Sequence, residues 1–157
     1  MKHNFQIKAI ERANIDYLFQ LSEAELAQLD AVKMTVDQKP GFPCRVSLQD
    51  AEVGEEVLLF SYDHLAVKSP YKGHSPVFVR KNATTAQPQV NKVPTMLKHR
   101  LLSVRAFDDQ NMMQTARTVK GEQLEVIIDE LFDNAQIRFL HIHNAGPGCY
   151  NCAVERV

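Results

Sequence analysis

The chain has 157 residues, 45% hydrophobic and 24% charged, enough for one core that buries about 70% of the surface an unfolded chain exposes. Its 18 Lys and Arg against 19 Asp and Glu leave a formal charge of -1, and the longest basic cluster, Lys98-His99-Arg100, is too short to track phosphates, which argues against a nucleic-acid partner. No stretch reaches the roughly 20 apolar residues of a membrane span or forms a signal-peptide core, and an odd count of three cysteines suits a reducing compartment, so the expectation is a single cytoplasmic domain with no membrane partner.

Along the chain, Phe5 to Ala9 alternates apolar and polar residues as an outer, half-buried strand does. Ser22-Glu23-Ala24-Glu25 is a capping box with Leu21 and Leu26 at the staple positions, which starts a short helix that ends near Asp30. Val32, Met34 and Val36 alternate again. Beyond the Pro40-Gly41-Phe42-Pro43 turn, Cys44 to Leu48 reads as a strand and Val57-Leu58-Leu59-Phe60 as a central one. Ser61 to Pro76, with two prolines, a glycine, His64, Tyr71 and His74, reads as a long surface loop, and such loops border sites.

Pro76 to Val79 predicts a further strand, and polar Asn82 to Lys92 a mobile connection. Leu101 to Phe107 and Met112 to Val119 flank Asp108-Asp109-Gln110-Asn111 as the arms of a hairpin. Leu124, Ile127, Ile128 and Leu131 stand at i, i+3, i+4 and i+7, the stripe of an amphipathic helix over Gly121 to Phe132. Ile137 to His143 and Tyr150 to Val157 close the domain as two strands across a Gly/Pro turn. The fold expected is α+β, a mostly antiparallel sheet with one or two short amphipathic helices.

Candidate chemistry concentrates in Arg138 to Cys152. In a strand, Phe139, His141 and His143 share one face and Leu140 and Ile142 the other, so the strand should be internal, with the two histidine positions about 7 Å apart. Such a pair either converges on an ion or substrate or is buried and hydrogen-bonded. Cys149 and Cys152, three apart, point to opposite faces of a regular strand, which disfavours a redox dithiol. Zinc held by His141 or His143 with Cys149, Cys152 and Cys44 has enough ligands but matches no common module. Cys44 beside Arg45 could be an activated thiolate if an imidazole lies within reach, or a small buried hydrophobe. Arg105 shares a face with Leu101, Ser103 and Phe107 and needs an anionic partner, either Asp108 or a ligand. Phosphate-binding loops, zinc-protease helices, nucleophile elbows and kinase signatures are missing.

The blocks Gly41 to Leu48, Asp50-Ala51, Ser69-Pro70-Tyr71, Pro76 to Val79, Leu101 to Asp108 and His141 to Tyr150 together closely resemble the bacterial domain-of-unknown-function family 1203. That resemblance covers roughly Gly41 to Val157. It implies no substrate, but its pattern includes Cys44, Arg45, Tyr71, Arg105, His143, Asn144, Gly148, Cys149 and Tyr150. Cys152 departs from the pattern, which argues against a dithiol mechanism common to the family.

The functional expectation is therefore a binding module for a small polar or anionic molecule, with Arg45 and Arg105 on the anion and Tyr71, His141, Asn144, Gly148 and Tyr150 around it. One alternative is a thiol enzyme with Cys149 or Cys44 as nucleophile and His143 as base; another is a zinc protein using the His/Cys cluster. No resident metal or cofactor is assigned, and a homodimer is a default guess.

Overall fold

A computed structural model describes residues 1–157. In chain order it contains β1 (Phe5–Lys8), α1 (Arg12–Ile15) running into a 3-10 turn, α2 (Glu23–Gln28), β2 (Val32–Thr35), β3 (Glu56–Leu65), β4 (Gly73–Arg80), α3 (Thr95–Lys98), β5 (Leu101–Phe107), β6 (Met113–Lys120), α4 (Leu124–Phe132), β7 (Phe139–Asn144) and β8 (Tyr150–Arg156). All named pairings are antiparallel. They build a five-stranded sheet in the order β1-β8-β7-β5-β6 and a three-stranded sheet in the order β2-β3-β4. The fold is α+β, as the strand-rich pattern predicts, with short helices. No helix is long and apolar enough to cross a membrane.

Strand alternation sorts the large sheet into two unlike faces. Phe5, Ile7, Leu102, Val104, Ala106, Leu140, Ile142, Cys152 and Val154 pack under Leu124, Ile128, Leu131 and Phe132 of α4. This is the amphipathic stripe legible in the sequence, now facing its sheet. The opposite face carries Ser103, Arg105 and Phe107 on β5, in register with His143, His141 and Phe139 on β7. On the small sheet, Leu58, Phe60, Val77 and Val79 share a core with Ile15, Leu18 and Leu26 from the N-terminal helices. Tyr150 belongs to that core as well, so the start of β8 is where the two sheets meet. There the Ser75 hydroxyl of β4 accepts the Tyr150 amide at 3.0 Å. The capping box at Ser22 and Glu25 forms as expected.

Three expectations need correction. Ser61 to Pro76 is not a long loop: β3 runs to Leu65 and β4 starts at Gly73. Pro76 is accommodated because β4 is an edge strand, where a missing amide costs no ladder bond. Cys44 to Leu48 is not a strand but a tight loop closed by Leu48 N–H donating to the Cys44 carbonyl at 2.9 Å, with isolated bridges from Pro43 and Cys44 on either side. Asn82 to Lys92 has no regular structure, yet it is tied down. The Thr85 hydroxyl accepts the Arg12 amide, Ala86 donates to Val46, and Asn91 donates to Phe5.

One close approach tests the packing of α3. A Cβ built on Gly121 falls 1.8 Å from the Leu97 carbonyl oxygen and 2.7 Å from its carbon. Both obstacles are backbone, so no rotamer change relieves them. Gly121→Ala should cost about 3 kcal/mol, read as a lower urea midpoint at unchanged m-value.

Candidate functional site

Two β-bulges shape the polar face of the large sheet. Between β7 and β8 the register steps from Ile142 opposite Cys152 to His143 opposite Tyr150, which leaves Asn151 as an extra residue. Between β3 and β4 it steps from Tyr62 opposite Ser75 to Leu65 opposite Gly73, so β3 gains one residue at Asp63-His64. Bulges bend a strand and re-aim its side chains. Here they bring His64 from the small sheet against His141 and His143 from the large one. Ring centroids of His64 lie 5.9 Å from His141 and 4.9 Å from His143, both edge-on.

Tyr150 sits among the three imidazoles. Its ring stacks on His64 at 5.5 Å and meets His141 and His143 edge-on at 5.1 and 5.6 Å. Phe107 and Phe139, stacked at 5.1 Å, wall the His141 side, and Tyr71 caps Phe107 edge-on at 6.2 Å. His141 and His143 are buried, at 5% and 1% exposure, while His64 is half-buried. One ligand-capable nitrogen from each ring lies within 4.8 Å of the others. His143 Nδ1 is 2.8 Å from the Gly148 carbonyl oxygen. A carbonyl can only accept, so Nδ1 carries the proton and Nε2 keeps its lone pair. That Nε2, together with Nδ1 of His64 and Nδ1 of His141, is buried with no hydrogen-bond partner. Three orphaned nitrogens in one cluster need an explanation, because buried polar atoms are paired as a rule.

The electrostatics keep these rings neutral. Burial, then neighbouring imidazoles and the Arg105 charge, push His141 down to about 3. Burial also pushes His143 down to about 4, against the opposing pull of its bond to Gly148. His64 is lowered by burial and by Arg105 and His74, with Asp63 acting weakly the other way. Neutral imidazole is the form that ligates metals.

The remaining candidates divide into those at this cluster and those behind it. Arg105 is directly opposite His141 in the β5–β7 ladder. Its Nε donates to the Ser103 hydroxyl at 3.3 Å, and no carboxylate pairs with it. Asp108, the expected protein partner, is instead occupied by the amides of Gln110 and Met112 and the side chain of Gln114. Gly148 contributes its carbonyl to His143, and Asn144 accepts from the Asn151 side chain at 2.8 Å.

Arg45 is turned away from any anion. It is 2% exposed and donates to the carbonyls of Tyr150 at 2.8 Å and Pro43 at 2.6 Å, protein contacts that leave no ligand role for it. Cys44 is fully buried, its sulfur accepting the amides of Ser47 and Arg80, which removes the access a nucleophile needs. Cys152 lies in the α4 core, and burial pushes its thiol up to about 12. Cys149 is half-buried and free. No cysteine belongs to the imidazole cluster. His64, which no sequence expectation singled out as a ligand, stands beside the two histidines instead. The alternation Phe60, Tyr62, His64 against Ser61, Asp63 is the sequence signal that continues β3 to this residue. A cleft of about 670 Å³ lies elsewhere, and its Asp50, Glu52, Arg80 and His99 are already paired within the protein.

A family model described as a protein of unknown function (DUF1203) matches residues 41–156, and the chain belongs to that family. No curated protein and no solved structure matches it.

Proposed function

We propose that this DUF1203 protein works through a divalent metal ion, zinc first, held by His64, His141 and His143. The observation that carries the reading is that three imidazoles each bring a nitrogen within 4.8 Å of the others, while each also holds a buried nitrogen without a hydrogen-bond partner. Zinc–nitrogen bonds of about 2.0–2.1 Å in a tetrahedral site put ligand nitrogens about 3.3 Å apart. The present spread of up to 4.8 Å therefore closes with side-chain movements of about 1.5 Å or less. The bond from His143 to the Gly148 carbonyl is the outer contact that fixes tautomer and ring orientation in metal sites. Three neutral nitrogen ligands leave a position for water or a ligand, the arrangement of Lewis-acid and hydroxide-generating centres rather than closed structural ones.

Chelator-treated protein titrated with zinc against a chromophoric competitor should bind one equivalent. His64→Ala, at a half-buried position, should keep the fold and weaken binding on the order of 100-fold. Zinc at about 100 times its Kd should raise folding stability by about 2.7 kcal/mol in the parent protein. Failure to bind a stoichiometric ion, or equal binding by His64→Ala and His143→Ala variants, would sink the proposal.

A further inference from the structure

The three imidazoles bring no charge to a metal, and no Asp or Glu joins the cluster. A divalent ion there would sit beside the unpaired Arg105 guanidinium, opposite His141 on the neighbouring strand. Several positive charges in a partly desolvated place, opposed only weakly by Asp63 beside His64, call for an anion from outside. Resting on the metal reading above, we propose that the site takes a small carboxylate. One carboxylate oxygen would bind the metal, the other Arg105, and the organic remainder would lie against the exposed ring of Tyr71.

The chemical class follows from what surrounds the guanidinium. A planar guanidinium and a planar carboxylate match in geometry, and one arginine is enough. Phosphate sites gather more donors, such as backbone nests or several cations. The nearby Arg45 cannot add to Arg105, because it is committed to the Pro43 and Tyr150 carbonyls. On the same face of β5 as Arg105, Phe107 is stacked on Phe139, and Tyr71, 40% exposed, leans over Phe107. The segment that carries Tyr71 is anchored by the Ser69 hydroxyl, which donates to the Asn111 carbonyl at 2.7 Å. An anion with an apolar body thus finds charge at one end and rings at the other.

The test uses the full chain loaded with cobalt(II), whose visible bands report a ligand entering the metal's coordination. Acetate, benzoate and inorganic phosphate are titrated in turn. Benzoate should bind most tightly, about 10-fold ahead of acetate. Arg105→Met should lose roughly 10-fold or more of the benzoate affinity while its cobalt stoichiometry stays at one. Arg105→Lys should recover only part of it. Tighter binding of phosphate than of either carboxylate, or unchanged benzoate affinity in Arg105→Met, would overturn the proposal. If cobalt itself does not bind, the metal reading has failed. Benzoate is then added to metal-free protein: a shift of the Arg105 Nε–H resonance keeps the carboxylate assignment, and its absence overturns that too.

Discussion

On acidification from pH 7 to pH 4.5, metal-free protein is expected to lose on the order of 5 kcal/mol of folding free energy, a large share of what a domain of this size has. The cause is the buried pair His141 and His143, held at about 3 and about 4 in the fold against about 6.5 in an unfolded chain. Between those values the unfolded state binds protons that the native state refuses. The sign is therefore fixed: stability is full above pH 6.5 and falls as pH drops toward the folded values, at about 1.4 kcal/mol per histidine per pH unit. Carboxylates held low in the fold, such as Glu55 beside Arg80 and Asp108 in its turn, lose their contribution only as pH falls into and through the ordinary carboxylate range. The window from pH 6.5 to 4.5 thus belongs to the histidines. Urea unfolding in the presence of EDTA should show it as a slope, and His141→Gln/His143→Gln should flatten that slope whatever its stability at pH 7. Equal slopes in the two proteins would contradict the burial argument. Added zinc should move the acid transition to lower pH, because the ion and the proton compete for the same lone pairs.

Half of this site was legible from alternation alone. Phe139, His141 and His143 had to share a face, and the apolar Leu140 and Ile142 between them marked β7 as internal. Arg105 could be placed on its face by the same rule. What alternation cannot supply is which strand lies opposite, and the partner of the histidine pair came from the other sheet. His64 was concealed by residues that ordinarily mean a loop, Gly73 with Pro70 and Pro76, which outweighed the short alternation that runs from Phe60 through Tyr62. The cysteines misled for the opposite reason. Their chemistry is conspicuous in a sequence, but a thiol is also a good small hydrophobe, and Cys44 and Cys152 are used that way. Arg45 carried the same ambiguity. A conspicuous cation in a matching block suggested a ligand, whereas its environment makes it a brace between two carbonyls.

That brace predicts the second large effect. Arg45→Ala should destabilise the protein by about 4–5 kcal/mol, since it removes one of the largest fully buried side chains and strands the carbonyls of Pro43 and Tyr150. Two opposing contributions decide the size. Burial pushes the guanidinium down to about 10, with no carboxylate beside it, so holding the charge is itself a cost at neutral pH. Removing the side chain relieves that cost but leaves two orphaned acceptors, at about 1–3 kcal/mol each, and a cavity. Arg45→Met separates these contributions by keeping most of the volume, and should cost about 2–3 kcal/mol. Arg45→Lys retains the charge but presents one ammonium where a fork reaches two carbonyls, and should cost a similar amount. Because one of the two bonds ends on Tyr150, whose ring packs on all three imidazoles, the Met variant should also bind zinc more weakly than the parent at a concentration where both are folded. Denaturant titrations of the three variants, each followed by a zinc titration, make the check. A Met variant within 1 kcal/mol of the parent, with equal zinc affinity, would mean that the bonds from Arg45 do not position the histidine cluster.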